Sequence, residues 1–217
     1  MKQFVVIGLG RFGSNLAKAL FNLGNQVLAM DMDKKVIEDI KDEVTDAIIA
    51  DARDYKVLSE FIDDDVDSVI VASGAELEMS VLTVLYLKDL GVKHIIAKVK
   101  NEDHGKILAA LGVNEIIYPE KDLATRLAER LTIASLISHI PLAPEYSIFE
   151  IATPDSFIGK TLAELQLRNK YGINVIGIKD ILYDKIDIVP DPNYKFGPDT
   201  ALIILCKTDE FADIKFK

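Results

Sequence analysis

Six short apolar runs divide the first 118 residues: 3–7, 26–30, 46–50, 68–72, 94–99 and 115–118. Within each run the apolar positions are continuous rather than alternating, the pattern of strands covered on both faces. The stretches between them are longer and more polar. Ser14-Asn15-Leu16-Ala17-Lys18-Ala19-Leu20 opens a helical pattern that Gly24-Asn25 stops. Val36, Ile37, Ile40 and Val44 then mark one apolar face of a polar helix. Strand and helix alternating with short connections predict an α/β fold. Its first part is a Rossmann-like, doubly wound parallel sheet with ligands at the C-terminal ends of the strands.

After Pro119 the period changes. Leu123, Leu127, Leu131, Ile133, Ala134 and Ile137 give a helix over 120–138 a broad apolar face. That face could pack back on its own sheet or cross to a second subunit, and the periodicity fits both. Pro141 and Pro144 follow within a short span and predict a domain boundary. The reading is thus a nucleotide-binding domain at 1–138 and a smaller α+β domain at 139–217. In the latter, strands are predicted at 147–152, 174–178, 185–189 and 201–206, with a short helix at 161–165. A module of this size suits ligand binding or dimerisation better than catalysis.

Composition narrows the class. The 217 residues are 49% hydrophobic, enough for a sizeable core, and carry a net charge of −10. A nucleic-acid grip needs phosphate-neutralising Lys and Arg, so that partner is excluded. The single cysteine, Cys206, lies in an apolar run and reads as a buried thiol, in keeping with a reducing compartment. Met1-Lys2-Gln3 leads directly into the first strand, so no signal peptide is expected. No apolar stretch reaches the roughly 20 residues of a membrane span, so a membrane role comes through a partner.

The chemistry concentrates at the start. Phe4-Val5-Val6-Ile7 runs into Gly8-Leu9-Gly10-Arg11-Phe12-Gly13, a G-x-G-x-x-G between strand and helix. Gly8 permits the tight turn, Gly10 lets a diphosphate approach, and Gly13 lets helix and strand pack. The helix N-terminus adds free N–H groups and partial positive charge. Asp31 ends the second strand, 18 residues after Gly13, where a carboxylate accepts hydrogen bonds from ribose hydroxyls; as a helix cap it needs no ligand. The remaining strand ends place Met32, Asp51, Ala52, Arg53, Ala72, Ser73, Gly74, Lys98 and Glu120 on the same rim. Asp51 reads equally as a cap, and Ser73-Gly74 as a turn. Arg11 lies inside the glycine loop, where a cation meets a terminal phosphate. A second carboxylate at Asp51 favours an unphosphorylated ribose.

A small NAD-dependent oxidoreductase is the alternative, and it needs a proton-transfer group. His94 sits at a strand start, on the wrong rim. His104 reads as a solvated residue early in a helix, and His139 as a cation at the end of the long helix. No Tyr-x-x-x-Lys pair and no metal-ligand cluster accompanies them. Asp63-Asp64-Asp65 reads as a solvated charge run.

The glycine loop, Asp31, Asp51-Ala52, Ala97-Lys98-Val99 and Tyr118-Pro119-Glu120-Lys121-Asp122 together resemble the RCK (KTN) family. So do Gly159-Lys160-Thr161-Leu162, Leu167-Arg168-Asn169-Lys170-Tyr171-Gly172-Ile173 and the stretch from Pro190 to Leu205. The resemblance covers almost the whole chain. It implies a non-enzymatic cytoplasmic regulatory subunit, held at the inner face of the membrane by a potassium-translocating partner. It further implies dimers tied by the helix after the sixth strand, assembled into an octameric ring. ATP versus ADP would switch the ring in KtrA-like members, with NAD or NADH the ligand of TrkA-like ones. By resemblance Arg11 meets the terminal phosphate, and Glu120 helps hold phosphate and a cation such as Mg. Cyclic di-AMP would bind the C-terminal subdomain at Arg168, Asn169, Ile173, Asn174 and Pro190, although Asp191 and Asp199 add negative charge there.

Overall fold

The computed structural model describes residues 1–73, 77–132, 136–211 and 214. The chain forms two compact units, Met1–Lys121 and Asp122–Lys217. In the first, β1 (Gln3–Ile7), β2 (Gln26–Asp31), β3 (Asp46–Ile49), β4 (Ser68–Val71), β5 (Ile95–Lys98) and β6 (Glu115–Ile117) alternate with helices. The helices are α1 (Arg11–Asn22), α2 (Lys34–Ile40), α3 (Tyr55–Phe61), α4 (Leu77–Asp89) and α5 (Glu102–Ala110). The strands form one sheet in the order β3-β2-β1-β4-β5-β6, every pair parallel. The order reverses between β1 and β4, the point at which such sheets open a ligand crevice.

The continuous apolar runs have a direct cause. Val5, Ile7, Met30, Val69 and Val71 pack into one buried cluster with Leu58, Val84, Leu87 and Leu108. Their neighbours Val6, Val27, Ala29 and Ile70 pack into another with Ala17, Ile37 and Ile40. Successive strand residues serve opposite faces, and each large side chain so buried contributes about 1.5–3 kcal/mol. Helix starts are fixed by local caps. Asp33 accepts from the Lys35 amide at 2.8 Å, Asp54 from Lys56 at 2.9 Å, and Asn101 from His104 at 2.9 Å.

The second unit is an antiparallel sheet in the order β10-β9-β11-β8-β7. Its strands are β7 (Leu136–Ala143), β8 (Tyr146–Ala152), β9 (Asn174–Asp180), β10 (Lys185–Ile188) and β11 (Thr200–Lys207). Short helices α7 (Leu162–Leu165), α8 (Leu167–Tyr171) and α9 (Thr208–Phe211) accompany it. Phe149, Ile151, Leu165, Leu167, Ile173, Ile178, Leu202, Ile204 and Cys206 form its core. A complete capping box, Thr161 with Glu164, starts α7.

The structure departs from the sequence reading at the join. The helix after β6, α6 (Pro119–Thr132), ends before the expected residue 138, and Leu136–Ala143 is a strand paired with β8. The expected boundary after residue 138 therefore falls inside β7. Pro141 is compatible with a strand here because β7 is an edge, where a missing ladder donor is tolerated. Of the expected apolar face of this helix, Ile137 belongs to β7, and Ile133 and Ala134 lie outside the described residues. Among the described residues no helix is long and apolar enough to cross a membrane.

Candidate functional site

The glycine loop has the geometry its spacing predicts. Gly8 has φ +89°, and a Cβ there would lie 2.7 Å from the Ser73 amide nitrogen. Both facts restrict the position to glycine. A Cβ at Gly13 would sit 2.0 Å from the Gly8 carbonyl oxygen and 3.1 Å from Ala72 Cβ, so α1 packs directly on the loop. Gly10 is different: nothing lies within 4 Å of a Cβ built there. It is the N-cap of α1, with no side chain capping the helix and no acid in the first turn. The first-turn N–H groups thus have no capping side chain, and Gly10 adds no bulk beside them, an arrangement suited to an anion.

Asp31 holds this loop in place. Its Oδ2 accepts from the Leu9 amide at 2.6 Å and its Oδ1 from Asp33 at 2.9 Å. The cap of α2 is Asp33, not Asp31. A carboxylate has acceptor capacity beyond two bonds, so Asp31 retains room for a hydroxyl donor. The Leu9 bond carries no sequence signal, because it comes from a backbone group. Asp51 is engaged differently. Arg53 grips it with Nε at 3.0 Å and Nη2 at 2.9 Å, and the Arg53 amide donates at 2.9 Å. The Arg53 side-chain bond is the main reason the Asp51 carboxyl titrates below the usual range. Met32 Sδ lies 3.8 Å from Arg53 Nη2, so Met32, Asp51 and Arg53 form one patch. Ala52 and Ala72 are buried wall residues. Ser73 Oγ is buried with no partner among the described residues, beside Gly8. Gly74 lies outside the described residues.

Across the rim, β5 and β6 deliver a second group. Lys98 Nζ meets Glu120 Oε1 at 2.6 Å and lies 5.9 Å from the centre of the Phe12 ring. The ammonium thus links the first turn of α1 to the first turn of α6. Hydrogen bonding from Lys98, helped by Glu120's own backbone, holds the Glu120 carboxyl below its ordinary range. Arg11 is exposed on the same turn and makes no ion pair among the described residues. No three His, Cys, Asp or Glu side chains among the described residues gather closely enough to hold a metal ion, so any cation at Glu120 lacks a ready cage within them.

Each histidine is engaged by a side chain that is not one of the predicted site residues. His94 Nδ1 pairs with Ser68 Oγ at 2.8 Å, where β4 begins. His104 is not solvated as its helix position suggests: it is 2% exposed, with Nε2 2.7 Å from Ser80 Oγ of α4. His139 is not at a helix end. It sits in β7, 2.9 Å from Glu129, and stacks on Phe149.

In the second unit, Arg168, Asn169, Ile173 and Asn174 line one cleft of about 340 Å³ with Leu162, Gln166 and Val175. Gln166, in the left-handed region at φ +48°, turns the chain between α7 and α8 and shapes it. Pro190 is buried and is not among the lining residues; the amide before it, of Val189, is bonded to the Ile176 carbonyl. Asp191 and Asp199 do not line the cleft either.

Comparison with known proteins agrees with this division. Residues 4–119 match the TrkA-N domain and residues 146–215 the TrkA-C domain. The chain is 40% identical over 178 residues to Ktr system potassium uptake protein C of Bacillus subtilis, covering 82% of this chain and 80% of that one. It is 35% identical over 204 residues to Ktr system potassium uptake protein A of the same organism, covering 94% and 91%. Among solved structures, the GsuK channel superposes with a TM-score of 0.70 at 20% identity, over 97% of this chain and 38% of that one. The chain thus spans under half of the GsuK polypeptide, and the likeness is one of fold. Two family domains in order, on a sheet and loop built to receive a nucleotide, make this chain a member of the RCK family.

Proposed function

We propose that the chain is the nucleotide-binding regulatory subunit of a potassium uptake system, acting at the inner face of a membrane through a potassium-translocating partner. The observation that carries this reading is the uncapped first turn of α1 at Gly10, with Lys98, paired to Glu120, beside Phe12 of that turn. Kinship with the two Ktr proteins supplies the potassium system. Nucleotide binding is supported by the ligands of structural neighbours, an NAD-bound GsuK channel and an AMP-bound Kef C-terminal domain.

The residues fit such a ligand. Gly10 leaves room for a diphosphate, the amides of the first turn and the Ser73 hydroxyl offer donors, and Asp31 receives a ribose hydroxyl. A nucleotide brings negative charge and, with a third phosphate, an extra anionic group. Arg11 and Lys98 are the cations of this unit placed to read that group, and Lys98 must then share itself between phosphate and Glu120. ATP and ADP differ in that contact, and a differential contact is what shifts a two-state equilibrium. NAD is the second ligand class the same loop admits.

The exposed leucines of α6, Leu123 at 69% and Leu131 at 76%, support the crossover role; the assembly of such dimers into an octameric ring rests on the family resemblance alone. The cleft at Arg168 is the place for cyclic di-AMP. Arg11→Ala tests the switching role. ATP affinity should fall while ADP affinity holds, and an unchanged ATP-to-ADP ratio removes Arg11 from the mechanism. Native mass spectrometry of the whole chain tests the ring: eight copies support it, and a monomer contradicts it.

A further inference from the structure

We propose that the C-terminal unit carries a second binding site, for a small ligand bearing a phosphate or carboxylate group, in the cleft lined by Gly159, Lys160, Glu164, Leu165, Lys170 and Tyr171. Its volume is about 490 Å³, larger than the cleft at Arg168, and the two share no lining residue. It falls within the size range of small-molecule sites. The chain turn at Gln166 ends α7 and begins α8, and it brings two lysines ten positions apart in sequence to one cavity.

The charges set the ligand class. In a chain of net charge −10, neither Lys160 nor Lys170 makes an ion pair among the described residues. The carboxylate in the wall, Glu164, is already engaged. Its Oε2 accepts from the Thr161 amide at 2.7 Å as part of the capping box. That backbone bond is the first reason its carboxyl titrates low, with the Lys195 and Lys160 charges contributing less. Lys160 and Lys170 both line this cleft, and an oxyanion bound there is within the class of ligand that lysines hold by charge-assisted hydrogen bonds. Phe157 and Leu165, both buried, supply the apolar part of the lining. A ligand held here acts on the same pair of helices that walls the cleft at Arg168.

Methyl-detected NMR of the full chain, labelled at Ile and Leu, tests the site. Inorganic phosphate and succinate are titrated separately, against sodium chloride at constant ionic strength. A saturable shift of the Leu165 methyls is expected, weakened about tenfold or more by Lys160→Gln with Lys170→Gln. Lys185→Gln, which removes an exposed lysine on β10, should leave it unchanged. Saturation by phosphate alone identifies a phosphate ligand and by succinate alone a carboxylate, and either supports the site. Shifts no larger than those with chloride, shifts that survive the double substitution, or shifts at Ile173 and Leu167 in place of Leu165 overturn it. Both lysines are exposed, so the variants are expected to fold, and their thermal midpoints check this.

Discussion

Alanine at Gly10 and alanine at Gly13 separate ligand binding from folding within one loop. At Gly13 the added methyl lies 2.0 Å from the Gly8 carbonyl oxygen, against an ordinary contact of 3.4 Å or more. Helix and loop must part by about 1 Å or more before the contact reaches 3.0 Å, below which real Cβ contacts are not found. The obstacle is backbone, so no rotamer relieves it. Overpacking of this kind costs about 1–3 kcal/mol, and a unit of this size loses roughly 3–5 °C of thermal midpoint per kcal/mol. Gly13→Ala is therefore expected to lower the midpoint by about 3–15 °C. At Gly10 the backbone is already at φ −61°, which alanine adopts freely, and nothing lies within 4 Å. Gly10→Ala is expected to move the midpoint by under about 2 °C while weakening ATP and ADP binding by at least about tenfold. Scanning calorimetry of both variants without nucleotide, followed by titration calorimetry, measures the two effects. Equal destabilisation by the two substitutions, or full nucleotide affinity in Gly10→Ala, would refute the reasoning.

Further expectations follow from other groups. Glu120→Gln should change stability by less than about 1 kcal/mol, because the Glu120 side of its pair with Lys98 is exposed to solvent and the amide can still accept from the ammonium, yet alter the ATP-to-ADP affinity ratio; denaturant melts and titrations check both. Burial, then the Lys100 charge, lowers the pKa of His104 from 6.5, so its neutral form is favoured in the folded chain. Its contribution to stability is complete above pH 6.5 and declines as pH falls through the lower folded value, and His104→Gln should flatten the dependence of midpoint on pH below 6.5. The Cys206 thiol is buried and pushed up to about 11, so it should resist thiol reagents in the native protein and react once urea unfolds it.

The parts legible in the sequence were those whose signal is local. Gly8, Gly10 and Gly13 each occupy the steric role their spacing implies, and Asp31 ends its strand beside them. The doubly wound sheet was legible because its strands are covered on both faces and read as unbroken apolar runs. What escaped depends on contacts across the chain. Lys98 and Glu120 are 22 positions apart and meet because β5 and β6 are neighbours; the strand ends place each on the rim, but no local pattern announces their pairing. β7 was read as helix and boundary because Leu131, Ile133 and Ile137 keep a helical period and Pro141 discourages strand; pairing with β8 overrides both. α8 is five residues long, too short for periodicity to register, and its start depends on a left-handed Gln166 that no residue type announces. His104 is buried by Ser80 of another helix, which position within α5 could not reveal.

The central claim is that this loop reads nucleotides, and equilibrium titration of ATP, ADP, NAD and NADH into the whole chain, with and without magnesium, tests it most directly. The account predicts saturable binding of ATP and ADP with different dependence on magnesium. Absence of binding by all four ligands would contradict it and reduce the glycine loop to a packing device.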